Sequence, residues 1–245
     1  MPFARQAFLV LCYHSVSPDW AHALSVTPAA FREQVTALAR SGIPPVSGEA
    51  LAGGERRGLH VTFDDAYRDI LEVIPLLEQL GLPATVFAGT GFADDGRALA
   101  VPELAAEAAA HPDLLATMTW EQLRELAERG VEIGSHTVSH AHLTRLSDAE
   151  LDRELGDSRA RLQDELRRPA RLLAYPYGEH DARVQAAVAR AGYAAAFAQW
   201  PGSSTRNHYA LPRTSLYRSD SRRRAMFKTT KLAPALASLR ERFGR

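Results

Sequence analysis

Six short apolar runs, spaced so that longer helical patterns fall between them, constrain this chain's fold more than any other feature. The runs cover residues 8–13, 59–63, 85–88, 132–135, 172–175 and 195–198. Each is too short for a stable helix and is rich in residues that suit a pleated, buried surface, so each reads as a strand. Helical periodicity occupies the intervals. Thr27 stands where it can cap a helix opening at Pro28, with Phe31, Val35 and Leu38 along one face. Further helical patterns cover 69–80, 120–129, 148–166 and 181–191, stopping at Gly81, Gly130, Pro169 and Gly192. Strand, helix and helix-stop in repetition predict an α/β fold with a parallel sheet, as a barrel or a doubly wound sheet.

Two stretches break the rhythm. Residues 93–116 are alanine-rich and helical where a short loop belongs, so they read as an insertion close to any functional site. From Arg206 to Arg245 there are eleven lysines and arginines against Asp220 and Glu241. The expected division is a catalytic domain over 1–218 and a basic helical tail over 219–245.

Composition excludes several classes. Of 245 residues, 46% are apolar and 24% charged, which supports a packed core and argues against disorder. Formal net charge is zero, and the basic residues gather at one end without a recognition motif, so nucleic acid is not an expected partner. The single cysteine, Cys12, excludes an internal disulfide and a cysteine-rich zinc site. The apolar stretch before Tyr13 is too short for a signal-peptide core and meets no small-residue cleavage site. No run approaches the roughly 20 apolar residues that cross a bilayer. The expected location is cytoplasmic.

Chemistry is carried by four segments that each follow a strand. In Val61-Thr-Phe-Asp-Asp-Ala-Tyr67, a β-rich run ends in two adjacent carboxylates, at the strand end where parallel α/β folds place their sites. Burying Asp64 and Asp65 together is costly unless a cation lies beside them; capping the next helix is the plainer role. In Gly134-Ser-His-Thr-Val-Ser-His140, histidines four apart share one face of a helical turn and can meet on one metal ion, with His142 as a further candidate. Two imidazoles and a carboxylate form a ligand set that leaves positions open for water and substrate. Leu173-Ala-Tyr-Pro-Tyr-Gly178 offers Tyr175 and Tyr177 either as flat faces for a sugar ring or as core packing. His14, in Leu11-Cys-Tyr-His-Ser15, is either structural or a proton donor at the same mouth.

These segments, TFDDAY, SHTVSH and AYPYG in that order, resemble the signatures of the polysaccharide deacetylases, carbohydrate esterase family 4 with the chitooligosaccharide deacetylase homology domain. The resemblance runs from about Phe8 to Arg213 and implies a distorted, incomplete (β/α)7-type barrel. It implies Asp65, His136 and His140 as ligands of zinc or another divalent metal. It further implies Asp64 as the catalytic base and the Tyr177 backbone N–H as an oxyanion donor. Three positions depart from the commonest pattern. Leu211-Pro-Arg-Thr replaces a late Leu-x-His that carries the acid. Ala174-Tyr-Pro-Tyr replaces Arg-x-Pro-Tyr, whose arginine orients the catalytic Asp. Ala66 replaces a glycine. The early Tyr-His-Ser resembles the subgroup acting on poly-β-1,6-N-acetylglucosamine, which transfers the acid role to His14, with His208 as fallback, and makes Arg213 the candidate for orienting Asp64.

The implied reaction is metal-dependent removal of acetate from N-acetylated hexosamines in a glycan or a glycolipid precursor. A cytoplasmic enzyme would edit a nucleotide-linked or lipid-linked precursor at the inner membrane face. The tail's Arg222, Arg223, Arg224, Lys228 and Lys231 suit that surface or a phosphate-bearing substrate, the plainer reading being a solvated basic helix. A metal-dependent amidase on a small non-sugar amide and an inactive glycan-binding module are the two rival readings.

Overall fold

A computed structural model of the chain describes residues 8–199 and 203–229. Its strands are β1 (Phe8–Tyr13), β2 (Ser15–Val16), β3 (Ser25–Val26), β4 (Gly58–Phe63), β5 (Ala84–Ala88), β6 (Glu132–Ser135), β7 (Leu172–Ala174), β8 (Ala195–Gln199) and β9 (Leu211–Ser215). Its α-helices are α1 (Pro28–Ala39), α2 (Gly48–Ala52), α3 (Ile74–Gln79), α4 (Ala105–Ala110), α5 (Trp120–Glu128), α6 (Asp148–Leu166), α7 (Ala182–Arg190) and α8 (Arg222–Lys228).

Seven of the strands form a closed parallel barrel in the order β1-β4-β5-β6-β7-β8-β9, one strand short of the eight of a TIM barrel. The ring is closed by β9, which pairs Thr214 with Leu11 and Ser215 with Cys12 of β1. Strand β9 carries a proline and three polar residues in its five positions, so it lacks an apolar run and was not among the six expected strands. The ring is uneven: β5 and β6 share four register pairs, whereas β6 and β7 share only Ser135 with Leu173.

Alternation along β4 shows how the ring is filled. Leu59, Val61 and Phe63 join Phe31, Val35 and Leu38 of α1 in the main outer core, while His60 and Thr62 turn inward, as period-2 geometry demands. Inside the ring, Val10, Phe87, Leu172, Ala174, Phe197 and Leu211 form a separate apolar cluster. Helix α2, unforeseen in the sequence, plugs its lower end with Leu51 and Ala52. Glu132 holds that plug by accepting from the Gly48 and Glu49 N–H groups at 2.7 and 2.8 Å. A Cβ on Gly48 would lie 2.7 Å from this carboxylate, so the close approach requires glycine.

The helix expected over 69–80 is interrupted. A 3-10 turn covers Arg68–Glu72 and α3 begins afresh at Ile74. Pro75 has no N–H to donate and its ring clashes with the carbonyl four residues back, so it is accommodated only in the first turn of a new helix. Residues 93–116 lie between β5 and α5, on the barrel's C-terminal face, and contain α4 flanked by 3-10 turns Pro102–Leu104 and Pro112–Leu115. Leu99, Val101, Leu104, Ala108 and Leu115 form a small core with Trp20 and Tyr67. Of the expected tail, only 219–229 lies among the described residues; Lys231 and the rest fall outside them. There the Gln34 side chain on α1 donates to the Asp220 carbonyl at 2.6 Å, and Ala225 of α8 is buried. Arg224 and Lys228 pair with the Asp220 carboxylate at 3.1 and 2.5 Å. No helix among the described residues is long and apolar enough to cross a membrane.

Candidate active site

Strand β4 delivers the two carboxylates in different directions. The Asp64 N–H donates to the Tyr13 carbonyl at 2.9 Å, which extends the β1–β4 pairing by one residue and keeps Asp64 on the inward face above Thr62. The backbone then turns left-handed at Asp65 (φ 68°) and Ala66 (φ 51°). An L-residue there costs about 1–2 kcal/mol. Ala66 therefore takes up the conformation that a glycine would adopt freely, with its methyl buried in the outer core.

Arg213, on β9, meets Asp64 inside the ring. Its two terminal nitrogens donate to the two Asp64 oxygens at 2.6 and 2.7 Å. One of them also donates to Thr62 Oγ1 at 3.1 Å, and that hydroxyl donates to the Leu11 carbonyl. The guanidinium lies 5.5 Å from the Phe87 ring centroid. Cys12 Sγ stands 3.4 Å from Asp64 Oδ2, and burial pushes the thiol pKa up, so it stays a thiol and donates a hydrogen bond to that oxygen. Burial alone would raise the Asp64 carboxyl. Arg213, then His136 and His14, override it and hold Asp64 well below the usual carboxylate range. Asp64 is thus an ionised, aimed, buried carboxylate.

Asp65, His136 and His140 form a second, adjacent group. Asp65 Oδ1 lies 3.5 Å from His136 Nε2 and 3.3 Å from His140 Nε2. One ligand atom from each of the three falls within 4.8 Å of the other two, and all three residues are buried. His136 Nδ1 contacts the Ala174 carbonyl at 2.9 Å. A carbonyl only accepts, so Nδ1 carries the hydrogen and Nε2 is left with its lone pair facing Asp65. Asp65 Oδ1 and His140 Nδ1 are buried without a hydrogen-bond partner. Burial pushes His136 down to about 4. For His140 burial also lowers the pKa, but the contact with Asp65 outweighs it and the net shift is upward. A buried carboxylate oxygen with two imidazole nitrogens and no satisfying donor fits a divalent cation.

The 136–140 segment is not the helical turn expected from its spacing. Thr137 and His140 are left-handed, at φ 67° and 59°, and Ser135 Oγ and Thr137 Oγ1 accept from the turn's N–H groups. The rings meet because an irregular loop folds back, bringing their centroids to 4.9 Å.

The remaining candidates separate cleanly. His14 lines the cleft, and one of its ring nitrogens, Cys12 Sγ and an Asp64 oxygen lie within 4.8 Å of one another. Its Nδ1 is buried and unpartnered. His208 precedes β9, and its carbonyl accepts from Ala196 near the start of β8, so it sits exposed at the opposite barrel end. Tyr177 adopts φ 59° in the Pro176–Gly178 turn and places its ring 4.6 Å from that of His140. Tyr175 is core: it is buried among Leu173, Val184 and Val188 with its hydroxyl donating to the Tyr209 carbonyl. Alternation along β7 sends it outward, so the sugar-facing option fails for Tyr175. His142 is not in the three-donor group; it stacks on Tyr177 at 3.8 Å. The sequence carried no signal for Glu103, which reaches the cleft from the insertion.

Asp64, Asp65, His136, His140, His14 and Tyr177 share one cleft of about 310 Å³, walled on one side by Leu99, Val101 and Leu104 of the insertion. The family model for polysaccharide deacetylases matches residues 53–196, more than half of the chain, from ahead of β4 into β8. The chain belongs to the polysaccharide deacetylase family. The match takes in both carboxylates, both histidines and Tyr177, but not His14 or Arg213. This deacetylase-family chain is 25% identical over 214 residues to YxkH of Bacillus subtilis, a presumed polysaccharide deacetylase, covering 83% of this chain and 69% of YxkH. Among solved structures it is similar to the Streptococcus pyogenes deacetylase PplD in complex with acetate, at TM-score 0.72 and 22% identity, over 92% of this chain and 99% of PplD. IcaB from Ammonifex degensii gives TM-score 0.72 at 21% identity, over 92% and 98% of the two chains. Both share the fold with this deacetylase-family chain.

Proposed function

We propose that this member of the family hydrolyses the acetamide of N-acetylated hexosamines in a glycan, releasing acetate, with a divalent metal, zinc foremost, held by Asp65, His136 and His140. The observation that carries this reading is the pairing within one cleft of an ionised Asp64, aimed by Arg213, and a buried three-donor group whose carboxylate oxygen lacks a partner. A cation bound there supplies Lewis-acid polarisation of the acetamide carbonyl and lowers the pKa of a nearby water.

The chain's own residues do the rest. Asp64 accepts the proton of the attacking water, and Arg213 keeps both carboxylate oxygens oriented for it. The Tyr177 N–H donates to the oxyanion that develops on the carbonyl oxygen. His14, beside Asp64, supplies the proton that lets the nitrogen leave as an amine. Among the described residues the cleft lining includes Glu103 and no lysine or arginine. That suits a neutral glycan better than a sugar diphosphate, and it turns the substrate reading from a nucleotide-linked precursor toward a chain of sugars.

The test is acetate release from β-1,4- and β-1,6-linked N-acetylglucosamine pentamers, beside a panel of small amides, with chelator and zinc add-back. Acetate from a pentamer, lost with chelator and recovered with zinc, is expected. Hydrolysis confined to small amides would favour the amidase, and no hydrolysis with no bound metal would favour the binding module. In the same assay His14→Ala should slow release by about 10²-fold or more, the lower range for an acid–base group, while His208→Ala should leave it within about twofold.

Metal loading has a pH signature. Asp65 raises the His140 pKa above its ordinary value, so the imidazolium form and the stability of that pair are present at low pH and lost as pH rises through the raised value. His136, near 4, is already neutral. Zinc binding at pH 6 should therefore release about one proton, and fewer at pH 9. Titration calorimetry in buffers of different ionisation enthalpy measures this; no release at pH 6 would contradict it.

A further inference from the structure

Tyr177 holds a backbone conformation that its side chain does not favour, and a closed circuit of contacts surrounds that side chain. The residue sits at φ 59°, ψ 4°, followed by Gly178 at φ 68°. L-residues persist in the left-handed region only where the surroundings over-determine them. Here the phenol donates to Glu103 Oε2 at 2.9 Å. The ring lies flat on His142, with centroids 3.8 Å apart and planes 6° apart. The His142 ring is gripped at both nitrogens, by Glu103 Oε1 at 3.3 Å and Glu179 Oε2 at 3.0 Å. Glu179 also accepts from Thr144 Oγ1 at 3.3 Å, and it lies two residues beyond Tyr177, which completes the circuit.

Glu103 belongs to the insertion, in the turn that places Val101 and Leu104 in the cleft wall. The same carboxylate therefore ties three things together: the insertion, the His142 loop and the turn that presents the Tyr177 N–H. We propose that Glu103 and His142 are positioning residues for Tyr177, so that seating of the insertion sets the aim of the oxyanion donor as well as one wall of the cleft. This rests on the reading above in which that N–H meets the developing oxyanion.

The experiment uses the full-length, zinc-loaded protein and the more reactive of the two pentamers. Glu103→Ala and Tyr177→Phe should each lower kcat about tenfold, the cost of a misaimed rather than a deleted donor. KM should stay within about twofold in both, and zinc content should be unchanged. Because the linkage that Tyr177→Phe cuts is also cut in Glu103→Ala, the double variant should be no slower than Glu103→Ala alone. Glu103→Gln keeps an acceptor for the phenol and should recover most of the rate. In parallel, the Gly178 N–H, which donates to the Tyr175 carbonyl across this turn at 2.9 Å, should exchange with solvent about tenfold faster in Glu103→Ala. An unaltered kcat, a raised KM at constant kcat, or losses that add in the double variant would each overturn the proposal. Should the unsubstituted protein release no acetate, the deacetylase reading fails, and the Gly178 exchange alone then decides the clamp. Equal protection with and without Glu103 would overturn it.

Discussion

Asp64→Asn should lower acetate release by about 10²–10⁴-fold, the range for losing a positioned proton acceptor, while bound metal stays stoichiometric. The amide matches the carboxylate in size, and its oxygen still accepts from one Arg213 nitrogen, so the cleft keeps its outline. What disappears is the capacity to take a proton, together with the negative charge and second acceptor that face Arg213. Single-turnover acetate release and elemental analysis on the same sample separate the two effects. Near-normal turnover would remove Asp64 from the base role, and loss of metal would move it into the ligand set. Because Arg213 holds the Asp64 carboxyl below the usual range, Asp64 stays ionised at acidities where an ordinary carboxylate begins to protonate. An acid limb near neutrality in the pH–rate profile therefore belongs to another group.

Arg213→Leu should cost about 3–5 kcal/mol of folding stability at pH 7, the range for removing one partner of a buried ion pair. The guanidinium is fully buried and its carboxylate partner almost so, at 0% and 3% side-chain exposure. Solvent therefore cannot step in for the missing cation. Measured by urea unfolding of the chelated protein, the loss should depend on pH in a determined direction. In the unsubstituted protein Asp64 has a depressed pKa, so its contribution is present above the unfolded value of about 4 and vanishes as pH falls through the folded value. In the variant, burial without a counter-charge raises the Asp64 pKa, and the penalty is relieved once the group protonates. The gap between the two proteins should narrow as pH drops below about 5. A gap independent of pH would mean that packing, not charge, is what Arg213 contributes. Arg213→Lys should recover only part of the stability, since an ammonium cannot engage both carboxylate oxygens as the planar fork does.

The parts of this fold that were legible in the sequence are those where one periodicity dominates. Strands β1 and β6 and helix α6 begin and end where short β-rich runs and capping residues say they should. Strand β9 was hidden because its five residues include Pro212 and Arg213, and the reason for burying Arg213 lies with Thr62 and Asp64 of another strand and its end. The break before α3 was readable in Pro75, but the apolar period on either side concealed it. At the site, residue types at strand ends marked Asp64, Asp65, His136 and His140 as candidates beside a capping role and His142, and it was the family resemblance that chose among them. The route by which His140 returns to Asp65 was not readable, because it depends on left-handed turns at Thr137 and His140 rather than on helical spacing. Glu103 could not be found at all. It lies in an alanine-rich stretch, 39 residues from His142 and 74 from Tyr177, and only the folded chain brings them together.

The narrowest join in the barrel has a consequence for how this protein would age. Strands β6 and β7 meet at a single register pair, Ser135 with Leu173, and the imidazole of His136 crosses that join to the Ala174 carbonyl. If the ring yields at its thinnest join, it yields there, and the same opening releases the imidazole that faces Asp65. Heat inactivation and the first detectable loosening of the barrel should then share one time course, and a ligand cinched at Asp65 and His136 would act as a rivet, lengthening shelf life by fastening the join.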